Sequence, residues 1–299
     1  MSREIRNLAV VGTGNLGARI ALQAAYYGYR VSTWDPNPAS FDHSMAMSED
    51  RLKTTTRVPT LTWVQLGQAA EKVARCAQLE QALEGADLVI EAIPENLEMK
   101  REMYARLDAL APAGAILATN SSSIPVSLIA DATGRPELCV NTHFYTLDIG
   151  RNLVDVMGSR EASPELLEQC AAWVRSIGCV PLTVRKQIHG FCFNRIWRAI
   201  KKESLHMWAG GYVDYQDIDR GWMIWSGMDQ GPFGLMDNVG LDVVYDIEMS
   251  YYAESGDPKD HPPGALKEKV TRGELGTKSG RGFYSYPEPE YKKDGFLKK

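Results

Sequence analysis

The sequence predicts an α/β fold, in which a doubly wound, mostly parallel sheet is followed by an all-α C-terminal domain. Strand-like apolar runs alternate with helical periods over residues 1–187, and a glycine-rich turn follows the first run. The character changes at 187–190, and from residue 191 onward the helical period dominates and strand-like runs disappear. We therefore predict two domains, an α/β domain at 1–187 and a helical domain at 188–299.

The glycine-rich turn follows an apolar run at residues 8–11 and has the spacing GxGxxG. A helical pattern follows at once, and this combination is typical of a Rossmann-type strand, tight turn and helix N-terminus. The first N–H groups of a helix lack internal partners, so an anion such as a pyrophosphate is favoured there. The alternative is an ordinary strand, turn and helix with incidental glycines. The predicted cofactor-binding residues of this turn are Gly12, Gly14, Asn15, Leu16 and Gly17.

Asp35 ends the second apolar run, at residues 29–34, and lies 18 residues beyond Gly17. Dinucleotide-binding folds place the acid that binds the adenosine ribose at about this spacing. A carboxylate there accepts a hydrogen bond from the 2′-hydroxyl group and repels a 2′-phosphate. The sequence therefore predicts NAD, rather than NADP, as the cofactor.

Composition and charge argue against several other classes of protein. A formal net charge of −5 gives no reason to expect a nucleic acid or membrane partner. No apolar run approaches the roughly 20 residues of a membrane span, and the N-terminal residues lead directly into the first strand, without a targeting peptide. The five cysteines are scattered, without a CxxC pair or the spacing of a zinc site. We expect a cytoplasmic protein with reduced thiols and no bound metal.

His143 is the best candidate for proton transfer, because it follows a short predicted strand at 139–142 on the carboxyl side of the sheet. An imidazole can accept or release a proton near neutral pH. Asp155, 12 residues further on, could hold the imidazole and stabilise its cation. The residues alone leave two alternatives open, a hydrogen-bonded structural histidine and a surface aspartate.

A polar loop at 120–123 follows the predicted strand at 115–119. Ligands bind at this edge in open α/β sheets, and the loop begins with Asn120. Taken alone, Ser122 is an ordinary residue of this polar loop. Glu95 and Lys100 lie at the beginning of the helix predicted at 95–110. The polar, partly helical stretch at 39–75 carries several basic residues, which form either a solvated face or an arm for a phosphate-bearing substrate.

Eight motifs occur in an order and at spacings that resemble the L-3-hydroxyacyl-CoA dehydrogenase family over nearly the whole chain. They are GxGxxG with Asp35, VIEAIPENLEMK at 89–100, NSSSI at 120–124, HF at 143–144, LVDVM at 153–157, GFCFNR at 190–195, GPFGLMDNVGLD at 231–242 and KSGRGFYSY at 278–286. The resemblance implies a homodimeric, NAD-dependent enzyme of fatty acid metabolism. Such an enzyme interconverts 3-hydroxyacyl-CoA and 3-ketoacyl-CoA.

The resemblance also implies roles for individual residues. His143 matches the family's catalytic base, and Asp155 matches the glutamate that pairs with it. Ser122 and Asn194 match residues that hold the substrate oxygen. Glu95 and Lys100 match residues near the nicotinamide ribose. Together with Asn120 of the polar loop, they are three further cofactor-binding candidates.

The chain departs from the family pattern at three places. Asp155 replaces the usual glutamate, residues 145–147 read Tyr-Thr-Leu where the family has Phe-Asn-Pro, and the segment at 222–228 is bulky instead of small. Similar departures occur in side branches that act on free 3-hydroxy or 3-keto compounds, namely diketoreductases, lambda-crystallin-like gulonate dehydrogenases and carnitine dehydrogenases. The carrier on the substrate therefore stays open, as does an NAD-binding structural role without turnover.

A free carboxylate on the substrate would need a cation to bind it. Arg198, Lys201 and Lys202 share a predicted helix with Asn194 and are candidates for that role. A solvated helix face is the alternative explanation for the three charges.

Overall fold

The computed structural model describes residues 4–54, 61–145, 153–188 and 190–298. Its internal contacts divide the chain into two compact units, Met1–Cys192 and Phe193–Lys299. Within the described ranges, no helix is both long and apolar enough to cross a lipid bilayer.

The first unit contains an eight-stranded sheet with the strand order β3-β2-β1-β4-β5-β6-β7-β8. Every neighbouring pair is parallel except β6 and β7, which are antiparallel. The predicted doubly wound, mostly parallel sheet is therefore confirmed. The strands are β1 (Asn7–Val11), β2 (Arg30–Trp34), β3 (Val73–Arg75), β4 (Leu88–Glu91), β5 (Ile116–Thr119), β6 (Cys139–Phe144), β7 (Leu153–Gly158) and β8 (Val180–Val184).

Strand β3 lies at the end of the stretch 39–75, which the sequence indicated as polar and partly helical, and the strand itself was not predicted. The strand has three residues at the edge of the sheet, and Val73 alone among them is buried. So short a segment shows no period-2 pattern, because it contains only one inward-facing residue.

Helices cover both faces of the sheet. Alternate residues of β1 point to opposite faces, so Leu8 and Val10 join one buried cluster while Ala9 and Val11 join another. The helices of this unit are α1 (Asn15–Tyr26), α2 (Ser40–Thr54), α3 (Trp63–Ala70), α4 (Leu79–Leu83), α5 (Leu97–Leu110) and α6 (Pro164–Ser176).

The second unit contains helices and short 3₁₀ turns, which confirms the predicted all-α domain. Its apolar core is rich in aromatic side chains, including Phe233, Phe283 and Tyr284. The helices are α7 (Phe193–Ala209), α8 (Tyr215–Ser226), α9 (Pro232–Val239), α10 (Leu241–Ser255) and α11 (Gly264–Thr271).

Helix α9 begins at the start of the motif at 231–242. Gly231 is the N-cap and Pro232 the first helical residue, a position where proline is well tolerated. The buried carboxylate of Asp219 accepts hydrogen bonds from the N–H groups of Phe233 and Gly234, at 2.8 and 2.9 Å. A side chain from α8 thus satisfies the beginning of this helix.

Candidate active site

Two glycines of the predicted cofactor turn are required by close packing. Gly12 follows β1 with φ +93°, and a Cβ atom there would lie 2.7 Å from the carbonyl oxygen of Ala92. A Cβ atom on Gly17, within α1, would lie 1.9 Å from the carbonyl oxygen of Gly12. The strand, turn and helix can therefore meet only with glycine at both positions.

Gly14 differs, because a Cβ atom there would meet no other atom within 4 Å. Gly14 is the N-cap of α1, and no side chain caps this helix N-terminus. Asn15 is exposed and Leu16 half-buried just beyond it. An open, uncapped helix N-terminus directly after a tight turn fits the pyrophosphate of a dinucleotide.

The Asp35 carboxylate is held at the end of β2 by local donors. Its Oδ2 accepts from the N–H and hydroxyl groups of Thr13, at 2.6 and 3.2 Å, and Oδ1 accepts from the N–H of Asn37 at 2.8 Å. A cleft of about 640 Å³ lies beside this carboxylate. Its lining includes Gly12, Gly14, Trp34, Asp35, Met99 and Arg106. The residues present therefore fit NAD, with the glycine turn and Asp35 on one cleft.

A buried ion pair that the sequence did not indicate lies next to this cleft. Glu91, the last residue of β4, accepts from Lys100 Nζ at 2.7 Å, from the Thr119 hydroxyl at 2.8 Å and from the Ile93 N–H at 2.8 Å. Burial raises the pKa of Glu91, and the Lys100 ammonium opposes that effect. Lys100 is itself only 1% exposed, so its ammonium group lies buried in the ion pair with Glu91. A contact of Lys100 with the nicotinamide ribose stays a prediction.

Glu95 organises the serine loop that follows β5. Its Oε1 accepts from the hydroxyl groups of Ser121 and Ser123, at 2.6 and 2.7 Å, and from the N–H groups of Ser122 and Ser123. Partial burial raises the pKa of Glu95, but these donors and the Lys100 charge outweigh it and lower the pKa overall. Because the loop donors face the carboxylate, Glu95 fixes the backbone of Ser122.

Asn120 joins the serine loop to strand β6. Its side-chain oxygen accepts from the N–H of Phe144 at 2.9 Å, and Phe144 directly follows His143. The carboxyl ends of β5 and β6 thus bring Ser122 and His143 to the same edge of the sheet.

His143 and Asp155 are direct partners in the antiparallel pair of β6 and β7. His143 is 5% exposed and Asp155 is 0% exposed. The His143 Nδ1 atom lies 3.6 Å from Asp155 Oδ2, beyond ordinary hydrogen-bond distance. The imidazole and the carboxylate therefore lie side by side in the structure. Aspartate is one methylene shorter than the glutamate of the family, and the contact with the imidazole is long.

Two aromatic residues that were not predicted as site residues contact the imidazole. Phe191 stacks on the His143 ring with centroids 5.3 Å apart, and its φ of +52° is rare for a residue other than glycine. The ring of Tyr145 lies 4.3 Å from the imidazole centroid, and its hydroxyl donates to Asp155 Oδ2. In the sequence, Tyr145 stands out only as a departure from the family pattern. Its position two residues after His143 is the one feature that could have indicated a contact with the imidazole.

Asn194 belongs to the second unit, where it lies half-buried in the first turn of α7. The three cations on the same helix are paired with carboxylates. Arg198 contacts Glu248 at 3.0 Å and Asp260 at 2.9 Å, Lys201 contacts Glu248 at 3.3 Å, and Lys202 contacts Asp260 at 2.7 Å. This network accounts for the charges without a substrate carboxylate.

A dinucleotide-binding sheet with an imidazole–carboxylate pair at its carboxyl edge defines an oxidoreductase that uses NAD and acts on CH–OH groups. The family model for the 3-hydroxyacyl-CoA dehydrogenase NAD-binding domain matches residues 7–188, and the model for the C-terminal domain matches residues 190–286. The chain therefore belongs to the 3-hydroxyacyl-CoA dehydrogenase family.

Relatives named for CoA and other substrates are similarly close. The chain is 32% identical over 285 residues to a probable 3-hydroxybutyryl-CoA dehydrogenase of Bacillus subtilis. The alignment covers 95% of this chain and 99% of the relative. It is 30% identical over 292 residues to the 5-formyl-3-hydroxy-2-methylpyridine 4-carboxylate 5-dehydrogenase of Mesorhizobium japonicum, with 96% and 93% covered. A solved diketoreductase structure, described for dual catalysis of dicarbonyl compounds, superposes with a TM-score of 0.81 at 33% identity, with 95% and 100% covered.

Proposed function

We propose that this protein interconverts a 3-hydroxyacyl-CoA and a 3-ketoacyl-CoA, with His143 as the general base in oxidation and the general acid in reduction. The observation that carries the proposal is the buried pairing of His143 with Asp155 across β6 and β7. The names of relatives that span almost the whole chain support the CoA thioester. We also propose a place in fatty acid metabolism.

The glycine turn and Asp35 would hold NAD, which would supply the acceptor for the hydride from C3 of the substrate. His143 removes the proton from the C3 hydroxyl group, and the Asp155 carboxylate stabilises the imidazolium that forms. Ser122 and Asn194 orient the alcohol and the adjacent carbonyl group, which is a contribution of positioning. In reduction, the imidazolium returns the proton to the forming alkoxide.

The decisive variant for the base is His143→Ala. We expect turnover to fall by about 10²- to 10⁴-fold, because general acid–base catalysis is lost. NADH binding, measured by fluorescence titration, is expected to stay at the wild-type value, because the glycine turn is untouched. His43→Ala, at an exposed histidine on α2, is the matched control. Wild-type turnover in His143→Ala would refute the assignment.

The alternative is a dehydrogenase of the same family that acts on a free 3-hydroxy or 3-keto acid, ester or diketo compound. The similarity to the diketoreductase structure favours this alternative. Parallel assays of NADH oxidation with acetoacetyl-CoA and with a free β-keto ester separate the two. Activity on the thioester alone supports our proposal, and activity on the free compound alone supports the alternative. Tight NADH binding without either activity would indicate a structural role.

We further propose a homodimer in the cytoplasm, with the helical unit forming the interface and contributing to substrate binding. Helix α8 carries large apolar side chains on the surface, with Trp225 82% exposed and Ile224 61% exposed. Surface apolar groups of this size often mark an interface. In the described part of the chain none of the five cysteines forms a disulfide, which agrees with a reducing compartment. A monomer in light scattering at micromolar concentration would contradict the dimer.

A further inference from the structure

One oxygen atom of Asp155 faces two other side chains. The Tyr145 hydroxyl donates a hydrogen bond to Asp155 Oδ2, and His143 Nδ1 lies 3.6 Å from the same oxygen. Within the described chain, Asp155 Oδ1 and His143 Nδ1 have no hydrogen-bond partner. The phenol therefore holds the oxygen that the imidazole would otherwise use.

This arrangement is a consequence of burial. A carboxylate with 0% exposure is costly unless donors compensate for its lost water. The Tyr145 hydroxyl supplies such a donor without adding a charge. A carboxylate that already accepts a hydrogen bond from a phenol attracts a further proton less strongly, so it holds the proton of an imidazolium less tightly.

We propose that Tyr145 is a positioning residue that acts through Asp155. Its hydroxyl group keeps the carboxylate oriented and limits how firmly Asp155 retains the proton on His143. The imidazole can then release its proton during reduction as well as accept one during oxidation. The proposal rests on the role of His143 proposed above.

The surroundings of the imidazole restrict which groups could produce the same effect. Asp155 faces His143 from β7, and the Tyr145 ring contacts it from the end of its own strand, with centroids 4.3 Å apart. Phe191, which stacks on the ring, carries no titratable group. Glu95 and Lys100 lie at the same edge of the sheet. The described contacts of Glu95 are with the serine loop and Lys100, and those of Lys100 include ion pairs with Glu91 and Glu95.

The test is Tyr145→Phe, which removes the hydroxyl group and keeps the ring. Among the side chains that the structure describes, His143 is then the remaining partner of Asp155, so the imidazole holds its proton more firmly. We expect the acidic limb of the pH–rate profile for oxidation to move upward by about one to two pH units, the equivalent of one hydrogen bond to a charged group. The alkaline limb for reduction should move in the same direction by the same amount.

Tyr26→Phe is the matched control, because the Tyr26 hydroxyl accepts from Gln65 on α3, outside the proposed site. We expect it to leave both limbs in place. Incorporation of 3-fluorotyrosine at position 145 strengthens the phenol as a donor and is expected to move both limbs downward. This second substitution keeps the proposal testable if Tyr145→Phe does not fold. An upward shift of the limbs with the fluorinated residue would overturn the proposal, and unchanged limbs in Tyr145→Phe would overturn it if the His143 titration midpoint is unchanged as well.

Histidine NMR separates this proposal from the proposed function. The chain has five histidines, and the His143 resonance is assigned by its disappearance in His143→Ala. If Tyr145 acts through Asp155, the titration midpoint of that resonance moves upward in Tyr145→Phe, whichever substrate is turned over. An upward midpoint with a pH–rate profile that does not follow it would refute His143 as the base and leave the role of Tyr145 standing. An unchanged midpoint would refute the role of Tyr145.

Discussion

Glu91 on β4 and Asp155 on β7 are carboxylates of the same sheet, and both are 0% exposed. Glu91 accepts three hydrogen bonds, one of them from a buried ammonium group. Asp155 accepts from the Tyr145 hydroxyl, and its second oxygen has no partner in the described chain. The two side chains share the same burial and differ in how completely they are satisfied.

The difference explains why similar groups serve different purposes. A carboxylate whose oxygens are all engaged, as in Glu91, holds β4, β5 and α5 together and has little capacity to respond to a new charge. Asp155 is under-satisfied, so the appearance of a proton on His143 changes its interactions substantially. Stability should therefore depend on the surroundings of Glu91, and turnover on those of Asp155.

The largest effect on stability is expected for Lys100→Met, which removes the cation beside Glu91. Breaking a buried ion pair by removing one partner costs about 3–5 kcal/mol in the free energy of unfolding, because the other charge is left unpaired. Urea unfolding measures the loss. Lys72→Met, at an exposed lysine, is the control and should change little. A loss below about 1 kcal/mol would mean that the neutral donors alone hold Glu91.

A third buried carboxylate tests what the cation contributes. Asp219 accepts from two backbone N–H groups and the Tyr284 hydroxyl. Burial raises its pKa from 3.8 to about 6, against the effect of these donors. Because the folded state binds the proton more tightly than the unfolded state, this contribution to stability is present below about pH 3.8 and is lost as pH rises through about 6.

The corresponding variant is Asp219→Asn. We expect the difference in unfolding free energy, wild type minus variant, to fall by about 3 kcal/mol between pH 4 and pH 7. The lost hydrogen bond in the variant adds an offset that does not change with pH. Urea unfolding at several pH values measures the slope, and a pH-independent difference would show that the pKa of Asp219 is the same in the folded and unfolded states.

Asp155→Asn is expected to have a smaller effect, which appears in catalysis. Turnover should fall by about ten- to a hundredfold, because one interaction with the imidazolium is lost. The unfolding free energy should change by less than about 1 kcal/mol, since the substitution keeps the shape of the side chain and removes a buried charge. Steady-state kinetics and urea unfolding on the same preparation check both parts. A large loss of stability with normal turnover would show that Asp155, like Glu91, serves stability and not catalysis.

Much of the sheet could be predicted because its signals are local. The spacing of Gly12, Gly14 and Gly17 predicts a turn whose packing the structure bears out, and Asp35 follows at the spacing of the fold. From the residues alone Asp155 was only a possible partner of His143, and the resemblance to the family implied the pair. The structure places the two residues opposite each other across the antiparallel strands β6 and β7. The order of motifs across the chain then placed both domains in one family, which the family models confirm.

The interactions that were missed depend on contacts between distant side chains. Nothing near Glu91 in the sequence indicates that Lys100 and Thr119 converge on it, because three different elements supply the three groups. The role of the Tyr145 hydroxyl group could not be predicted, because it depends on Asp155, which β7 places beside it. The identity of the substrate carrier was open for the same reason, because it depends on residues brought together by the fold.

The glycine turn also bears on how this chain can diverge. Positions 12 and 17 would stay glycine in any library of variants selected only for folding, because a Cβ atom there would meet backbone. Position 14 has free space around it, so selection for folding alone would allow other residues there. Only selection for binding of the cofactor would keep Gly14. Sequencing two such libraries would separate, at three neighbouring positions, the constraint of architecture from that of the ligand.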